Sequence, residues 1–235
     1  QRVAAEGIIC IHQENKKFSM IEINSETDFV AKNNEFINFA EEVSRLALIN
    51  SGKMEKIIDS EMSNKKKVKD NLVDLISKIG EKITLRRSSF LENDKLINFS
   101  YIHSAIKKNV GKLGVLLSME TTKSKDEILT LGKHLSMHIA ASAPLAIDKD
   151  GLDPSLISKE KEIIIEELKN SGKDTKIIEK ITIGKLNKFI MDNTLLNQEW
   201  VMEPKKKVKD IIKEVSGKDK IIIKNFMRYK VGEGL

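Results

Sequence analysis

Two short apolar runs on either side of a polar turn open the chain. Residues Gly7–Gln13 and Phe18–Ile23 are rich in isoleucine and flank the polar segment Glu14–Lys17. This arrangement is typical of a β-hairpin. A mainly polar segment, Asn24–Phe29, follows, and the spacing of apolar residues becomes helical from about Asn34. We therefore predict two antiparallel strands, a polar connection and a helix.

The remainder of this first block is predicted to contain a second helix and a third strand. The first helix ends at Ser51–Gly52, and its apolar stripe consists of Phe36, Phe39, Ala40, Val43, Leu46 and Ala47. A second helix is predicted from about Lys66 to Ile79. Gly80 ends it, since glycine is common just beyond a helix C-terminus. Residues Lys82–Phe90 are then predicted to form a strand.

The same order of elements recurs in the second half of the chain. Residues Asn98–Ile106 and Leu113–Glu120 are predicted to form a second hairpin. A helix follows, and its apolar face consists of Ile128, Leu131, Leu135, Ile139 and Ala140. Near the C-terminus, a helix at Val208–Val215 leads into a strand at Ile221–Val231. Each block therefore has the order hairpin, helix, helix, strand.

One local sequence is repeated between the two blocks. Lys-Lys-Lys-Val-Lys-Asp occupies residues 65–70 and again residues 205–210. In each block it opens the short helix that precedes the last strand. The repeat indicates either an internal duplication or a chance similarity within a lysine-rich chain.

A helical insertion interrupts the second block. Residues Ser155–Lys169 and Ile177–Met191 both have helical spacing, and the turn Asn170–Gly172 separates them. Two helices joined by a short loop form an αα-hairpin. A hairpin of this kind packs on a partner or on a second copy of the same chain.

These patterns together predict an α+β fold with two similar subdomains. Each subdomain is expected to have a small antiparallel sheet with packed helices, and the second carries the inserted αα-hairpin. The predicted boundaries are residues 1–97 for the first subdomain and residues 98–150 with 192–235 for the second. Residues 151–191 form the hairpin, which predicts a homodimer as one arrangement.

Composition restricts the classes of function. The chain has 235 residues and a formal net charge of +6, but acidic and basic residues alternate along it. Its one cysteine, Cys10, has no partner for an internal disulfide, and no apolar run approaches the roughly 18 residues of a membrane helix. We therefore expect a cytoplasmic protein with no membrane partner. The charge leaves an RNA-binding module open as an alternative function.

The residue types that carry most catalytic chemistry do not form a recognisable set. The sequence has no phosphate-binding P-loop motif and no glycine-rich dinucleotide motif. His134 and His138 have a helical spacing that suits zinc, but the sequence provides no obvious third ligand. A zinc hydrolase based on this pair is the second alternative. We expect instead a protein without enzymatic activity, metal or cofactor.

A longer motif gives a more specific indication. Residues Glu22–Lys32, Glu-Ile-Asn-Ser-Glu-Thr-Asp-Phe-Val-Ala-Lys, closely resemble the signature of the elongation factor Ts family. Other stretches resemble the family in the same order, namely residues 78–83, Arg86–Arg87, Tyr101–His103, 138–144, 200–204 and 231–234. The resemblance covers essentially the whole chain. It implies a translation factor that binds elongation factor Tu, both GDP-bound and nucleotide-free, and promotes GDP release.

The resemblance also implies roles for particular residues. Asp28 and Phe29 would be inserted into elongation factor Tu, and the Mg²⁺–phosphate site would be destabilised as a result. The implied partner-binding positions are Thr27, Asp28, Phe29, Ile79, Gly80, His103, Val201 and Met202. Direct nucleic-acid binding is not expected of this family. The family's proteins normally begin with a three-helix domain, which this sequence, starting at Gln1, is expected to lack.

Overall fold

The computed structural model describes residues 3–169 and 174–235. In this part of the chain the strands are β1 (Glu6–Glu14), β2 (Lys17–Ser25), β3 (Thr84–Glu92), β4 (Ile97–Lys107), β5 (Val110–Thr121), β6 (Glu199–Trp200), β7 (Glu203–Lys207) and β8 (Ile221–Lys230). The α-helices are α1 (Asn34–Ile49), α2 (Met54–Asp59), α3 (Val68–Ile79), α4 (Leu129–Ser142), α5 (Pro154–Lys169), α6 (Thr175–Asn193) and α7 (Val208–Ser216). The predicted α+β class and the predicted order of elements are confirmed.

The two predicted small sheets are joined into one. The strand order is β3-β2-β1-β5-β4, and β8 pairs with β5. The junction lies where β1 meets β5, at the pairs Ile9–Gly111 and Cys10–Val110. The prediction of two separate sheets was therefore wrong, because hydrogen bonding between two hairpins distant in sequence leaves no local signal.

Two compact units result from this pairing. The first consists of Gln1–Ala140 with Ile222–Leu235, and the second of Ala141–Ile221. The first unit thus contains both hairpins of the sheet. The division predicted from the sequence, at residues 1–97, 98–150 with 192–235, and 151–191, groups the elements differently and stays a prediction.

Both faces of β1 are covered by apolar side chains. Ile8 and Cys10 belong to the core that α1 and α3 cover. Ile9 and Ile11 point to the opposite face and pack in a second core with Phe18, among others. A strand buried on both faces is a continuous apolar run rather than an alternating one, which accounts for the sequence of β1.

Strand β5 approaches the β1–β2 hairpin closely enough to exclude a side chain at one position. A Cβ atom at Gly114 would lie 2.7 Å from Cγ2 of Ile9 and 2.7 Å from Sδ of Met20. Contacts this short are essentially never observed for real Cβ atoms, so any larger residue here would require the side chains of Ile9 and Met20 to shift. The sheet of the first unit therefore curls, with β5 lying against side chains of β1 and β2.

Helix α1 forms because its sequence supplies both a cap and an apolar face. The Asn33 side chain accepts hydrogen bonds from the backbone N–H groups of Glu35, at 2.8 Å, and Phe36, at 3.3 Å. Such caps stabilise a helix by about 1 kcal/mol. The predicted apolar stripe is buried in full, at Phe36, Phe39, Ala40, Val43, Leu46 and Ala47.

Several short elements were missed by sequence reasoning. Helix α2 has six residues and buries Ile57 alone, so it is too short to show a helical period. Strands β6 and β7 form a two-stranded hairpin, and the two strands together have only seven residues. Helix α3 begins at Val68, two residues later than predicted, with Lys67 as its N-cap residue.

The second unit contains the predicted pair of helices, α5 and α6. Their predicted bounds are confirmed to within two residues at each end, and the predicted turn Asn170–Gly172 lies outside the described residues. Ala146, Leu152 and Ile190 form a small core of this unit. Among the residues that the structure describes, no helix is both long enough and apolar enough to cross a membrane.

A buried carboxylate connects β2, β3 and the C-terminal residues of the first unit. The Glu22 side chain is fully buried and accepts hydrogen bonds from the side chains of Asn24 (3.0 Å), Arg86 (3.1 Å) and Arg87, and from the backbone N–H of Gly232 (2.9 Å). Burial acts to raise the pKa of Glu22, but these hydrogen bonds outweigh it and lower the pKa from its ordinary value of 4.5.

The lowered pKa of Glu22 predicts an acid-dependent loss of stability. A carboxyl whose pKa is lower in the folded state stabilises that state fully above its unfolded pKa, and this contribution is lost as the pH falls through the folded value. Glu22→Gln should therefore be less stable than the wild type at pH 7, by about 2–3 kcal/mol. Urea denaturation at several pH values checks this, and the gap between the two proteins should narrow below about pH 4.5. A gap that does not change with pH contradicts the assignment.

Candidate functional site

The segment between β2 and α1 presents an aromatic side chain to solvent. We call residues Glu26–Phe29 the tip. Phe29 is 80% exposed, whereas the next two residues, Val30 and Ala31, are buried in the core. Phenylalanine is among the residues most often buried, so an exposed ring next to two buried residues is a candidate contact residue. The side chains of Val30 and Ala31 occupy the core, and the ring of the residue before them, Phe29, lies in solvent.

The backbone that follows the tip is fixed by hydrogen bonds. Residues Val30–Lys32 form a short 3-10 helix. The N–H of Lys32 donates to the carbonyl of Phe29 at 3.1 Å, and the N–H of Asn33 donates to the carbonyl of Val30 at 2.9 Å. Asn33 in turn caps α1, so Phe29 is linked through a continuous hydrogen-bonded segment to a long helix.

Asp28 directly precedes Phe29 in the chain, and its carboxylate forms an ion pair with a nearby lysine. Its Oδ2 is 3.2 Å from Nζ of Lys32, one helical turn further on, and both side chains are about half exposed. Exposed ion pairs of this kind contribute roughly 0–1 kcal/mol to stability. The pair therefore affects mainly where the Asp28 carboxylate points.

Two glutamates connect the tip to the segment that follows α3. The Glu81 carboxylate accepts hydrogen bonds from the backbone N–H of Thr27, at 3.0 Å, and from its hydroxyl Oγ1, at 2.7 Å. In the reverse direction, the Glu26 carboxylate accepts from the backbone N–H of Lys82 at 3.0 Å. We call these contacts the carboxylate clasp. They join segments 54 to 56 residues apart in sequence.

The clasp brings Ile79 and Gly80 to the neighbourhood of the tip. Gly80 is exposed and ends α3 in the left-handed conformation, with φ of 76°, and its N–H donates to the carbonyl of Ile76 at 2.8 Å. Ile79 is half-buried and packs against the core of the first unit. Part of its surface thus serves the core, and the remainder faces outward.

His103 lies on β4 with its ring exposed. Its Nδ1 is 3.0 Å from the Tyr101 hydroxyl, two residues earlier on the same strand. The next residue, Ser104, has a φ of 52°, which is uncommon for a non-glycine residue. The irregular backbone at Ser104 and the Tyr101 contact together orient the imidazole ring.

Val201 and Met202 belong to the second unit. They occupy the turn between β6 and β7, and both are exposed, whereas the preceding Trp200 is buried. Both side chains are therefore accessible to another protein.

Sequence reasoning did not identify the glutamates of the clasp or Tyr101. Glu81 directly follows the predicted helix end at Gly80, and Glu26 lies within the signature segment, but the sequence indicates a role for neither. A signal was present, because each carboxylate precedes or follows a predicted contact residue. Their pairing across 54 residues, however, is a property of the fold.

Cys10, His134 and His138 are the residue types best suited to covalent or metal chemistry. Burial raises the pKa of Cys10 to about 12, against a smaller opposing effect of its hydrogen bond to Ser44, so its thiol is protonated at neutral pH. His138 is fully buried and His134 half-buried. Within the described residues, no group of three His, Cys, Asp or Glu side chains is placed to hold a metal ion.

Lysines of both lysine-rich repeats form ion pairs with carboxylates. Lys66 contacts Asp74 at 2.7 Å, and Lys67 and Lys69 both contact Asp59. In the second repeat, Lys206 contacts Glu214 at 3.0 Å. Opposite charges are therefore interleaved on these two segments, as is typical of a solvated surface.

Comparison with known proteins identifies the family. A family model described as "Elongation factor TS" matches residues 26–233. The chain belongs to the elongation factor Ts family. The match begins at Glu26, the first residue of the tip, and the resemblance predicted from the sequence is confirmed. Membership in the elongation factor Ts family makes the chain a factor of translation elongation.

Curated proteins named elongation factor Ts are similar along the whole of this chain. Those of Nitrobacter hamburgensis and Methylorubrum populi are 39% and 38% identical over 236 and 237 residues. That of Gluconobacter oxydans is 35% identical over 234 residues. In each comparison 100% of this chain is matched, and 76–77% of the relative.

The conformation of Gly80 yields a prediction that is independent of partner binding. An alanine at this position must adopt a positive φ, which costs about 1 kcal/mol, although its Cβ meets no atom within 4 Å. Gly80→Ala should therefore lower the melting temperature by about 2–4 °C. Gly80→Asn should lower it less, because asparagine tolerates this conformation. Thermal denaturation of both variants checks this, and equal stability of Gly80→Ala and the wild type contradicts it.

Proposed function

We propose that this chain is a guanine nucleotide exchange factor that binds elongation factor Tu with GDP and promotes GDP release by inserting Phe29, with Asp28 beside it. The observation that carries this proposal is the exposure of the Phe29 ring at the junction between the tip and the hydrogen-bonded 3-10 helix Val30–Lys32. We call this junction the corner. Family membership supports the choice of partner. The proposed step makes and breaks no covalent bond, so the chain acts as a binding protein and not as an enzyme.

The free energy for insertion comes from burial of the aromatic ring. Removing a phenylalanine side chain from water stabilises a complex by about 1.5–3 kcal/mol. An exposed aromatic residue that fills a partner pocket is a typical hot spot. In the free protein this free energy is not used, because the ring is in contact with water.

The rigidity of the corner determines which of the two proteins changes conformation when the ring is inserted. Val30 and Ala31 are buried and α1 begins at Asn34, so the Phe29 backbone does not yield readily when the ring meets resistance. The displacement is therefore expected in the partner. A partner whose phosphate and Mg²⁺ ligands are displaced binds GDP less tightly, since Mg²⁺ offsets the charge of the diphosphate.

Thermodynamic linkage relates the binding of GDP to the binding of the exchange factor on elongation factor Tu. If the exchange factor weakens GDP binding by a given factor, GDP weakens binding of the exchange factor by the same factor. GDP-bound elongation factor Tu is thus expected to bind this chain more weakly than the nucleotide-free form does. Entry of GTP into the vacated site then releases the exchange factor.

The other predicted positions enlarge the proposed contact. Ile79, Gly80 and His103 would contact elongation factor Tu from the first unit, and Val201 and Met202 from the second. Their partly or fully exposed surfaces are compatible with this role. The homodimer through α5 and α6 stays a prediction; Ile163 and Ile183 are exposed on these helices.

Stopped-flow release of a fluorescent GDP from elongation factor Tu tests the role of Phe29. Phe29→Ala should slow the stimulated release by about 30-fold or more, which corresponds to 2 kcal/mol of lost contact. Its melting temperature should remain within about 2 °C of the wild-type value, because the substituted side chain is exposed.

Ile49→Ala is the matched control. Ile49 is also a large, exposed apolar residue of the first unit, but it ends α1, about 22 Å along the helix from its first residue. This variant should stimulate release at the wild-type rate. Wild-type stimulation by Phe29→Ala, or equal slowing by the two variants, contradicts the insertion.

A further inference from the structure

The carboxylate clasp uses every hydrogen-bond donor of Thr27 within the chain. Both oxygens of the Glu81 carboxylate are engaged, Oε2 by the Thr27 N–H and Oε1 by the Thr27 hydroxyl. The Thr27 carbonyl also accepts a hydrogen bond from the Ser25 hydroxyl at 2.9 Å. Thr27 is therefore held on both its donor and its acceptor side, two residues before Phe29.

We propose that Glu81, acting through Thr27, is a positioning residue that holds Phe29 in the orientation needed for nucleotide exchange. This inference rests on the proposed function. It changes the role of Thr27, which the sequence assigned to partner contact. Because both donors of Thr27 are occupied by Glu81, its contribution is to the conformation of the tip.

The chemistry of the contact favours a positioning role over a role in global stability. Hydrogen bonds to an ionised carboxylate are shorter and about twice as strong as neutral ones, and two on one carboxylate fix its orientation. Glu81 is nevertheless partly exposed, and it joins two loops rather than two core elements. Its loss should therefore loosen the tip at Thr27, on the side of Phe29 that the buried Val30 and Ala31 do not hold, and leave the cores around β1 intact.

The tip depends on the clasp because its own backbone is irregular. Residues 26–29 lie between the end of β2 and the 3-10 helix at Val30. The clasp binds this stretch at two successive residues, Glu26 and Thr27. Without it, the segment must be ordered when the partner binds, and ordering a segment on binding reduces affinity.

The clasp also links two parts of the proposed contact surface. Glu81 directly follows Gly80, and Thr27 is two residues from Phe29. The exposed Gly80 and the Phe29 ring are therefore held in a fixed relation by one carboxylate. A partner meeting both at once encounters a surface already assembled, which reduces the entropy cost of binding.

Stopped-flow GDP release with variants of the clasp tests this inference. Glu81→Ala and Thr27→Val should each slow the stimulated release by about tenfold, because the tip is then ordered only in the complex. Thr27→Ser keeps both hydrogen-bond donors, so it should stimulate GDP release from elongation factor Tu at close to the wild-type rate. Glu92→Ala is the control, since Glu92 forms an exposed ion pair with Lys17 at 3.0 Å elsewhere on the same sheet.

The double variant Phe29→Ala/Glu81→Ala distinguishes positioning from direct contact. If Glu81 acts through the ring, its loss has no further effect once the ring is gone, so the double variant should match Phe29→Ala. A further tenfold slowing in the double variant overturns the inference, because Glu81 then acts without Phe29. Wild-type rates for Glu81→Ala and Thr27→Val also overturn it.

Two further readouts separate other causes of failure. Melting temperatures of Glu81→Ala and Thr27→Val should stay within about 2 °C of the wild type, and a large fall would assign Glu81 to the core and overturn the positioning role. If Phe29→Ala itself stimulates GDP release from elongation factor Tu at the wild-type rate, the proposed function fails and the inference fails with it. If only the clasp variants are without effect, the proposed function stands and the inference alone fails.

Discussion

Burial of Val30 and Ala31 is the constraint on which the rest of this structure depends. These two side chains lie in the core below α1, and the chain just before them has to turn outward. Phe29 is consequently exposed between two buried residues on one side and the clasp residues Glu26 and Thr27 on the other. An aromatic ring on a mobile loop would be a weak binding element, since most of its binding free energy would be spent on ordering.

The sheet supplies the base for this corner. Strand β1 is buried on both faces, and β2, which ends directly before the tip, is paired with β1 on one side and with β3 on the other. Glu22 connects β2 to β3 and to the C-terminal residues, so the end of β2 is fixed three residues before Ser25. The tip thus extends from a well-packed scaffold, as functional segments commonly do.

Much of the fold was predictable, because it follows from local patterns. The isoleucine-rich runs of β1 and β2, the stripe of α1 and the glycine after α3 all predicted their elements correctly. Short elements were missed, since the six residues of α2 are fewer than two helical turns. The pairing of β1 with β5 was also missed, because it joins two hairpins through few hydrogen bonds.

The candidate site divides in the same way between predictable and unpredictable parts. The signature segment located Phe29, whose exposure agrees with the role that the resemblance implies. The clasp was not foreseen, because Glu81 and Thr27 are 54 residues apart and neither is unusual in its local sequence. The contacts that hold the segment before Phe29 depend on tertiary structure, so the sequence alone does not predict them.

Fluorescence of a single introduced tryptophan tests the central claim most directly. The chain has one native tryptophan, Trp200, which is buried and gives a low background for quenching by acrylamide. In Phe29→Trp, the new indole should be quenched readily in the free protein. Protection from acrylamide on addition of nucleotide-free elongation factor Tu is the result that insertion predicts. An indole that remains fully accessible in the formed complex would contradict the account.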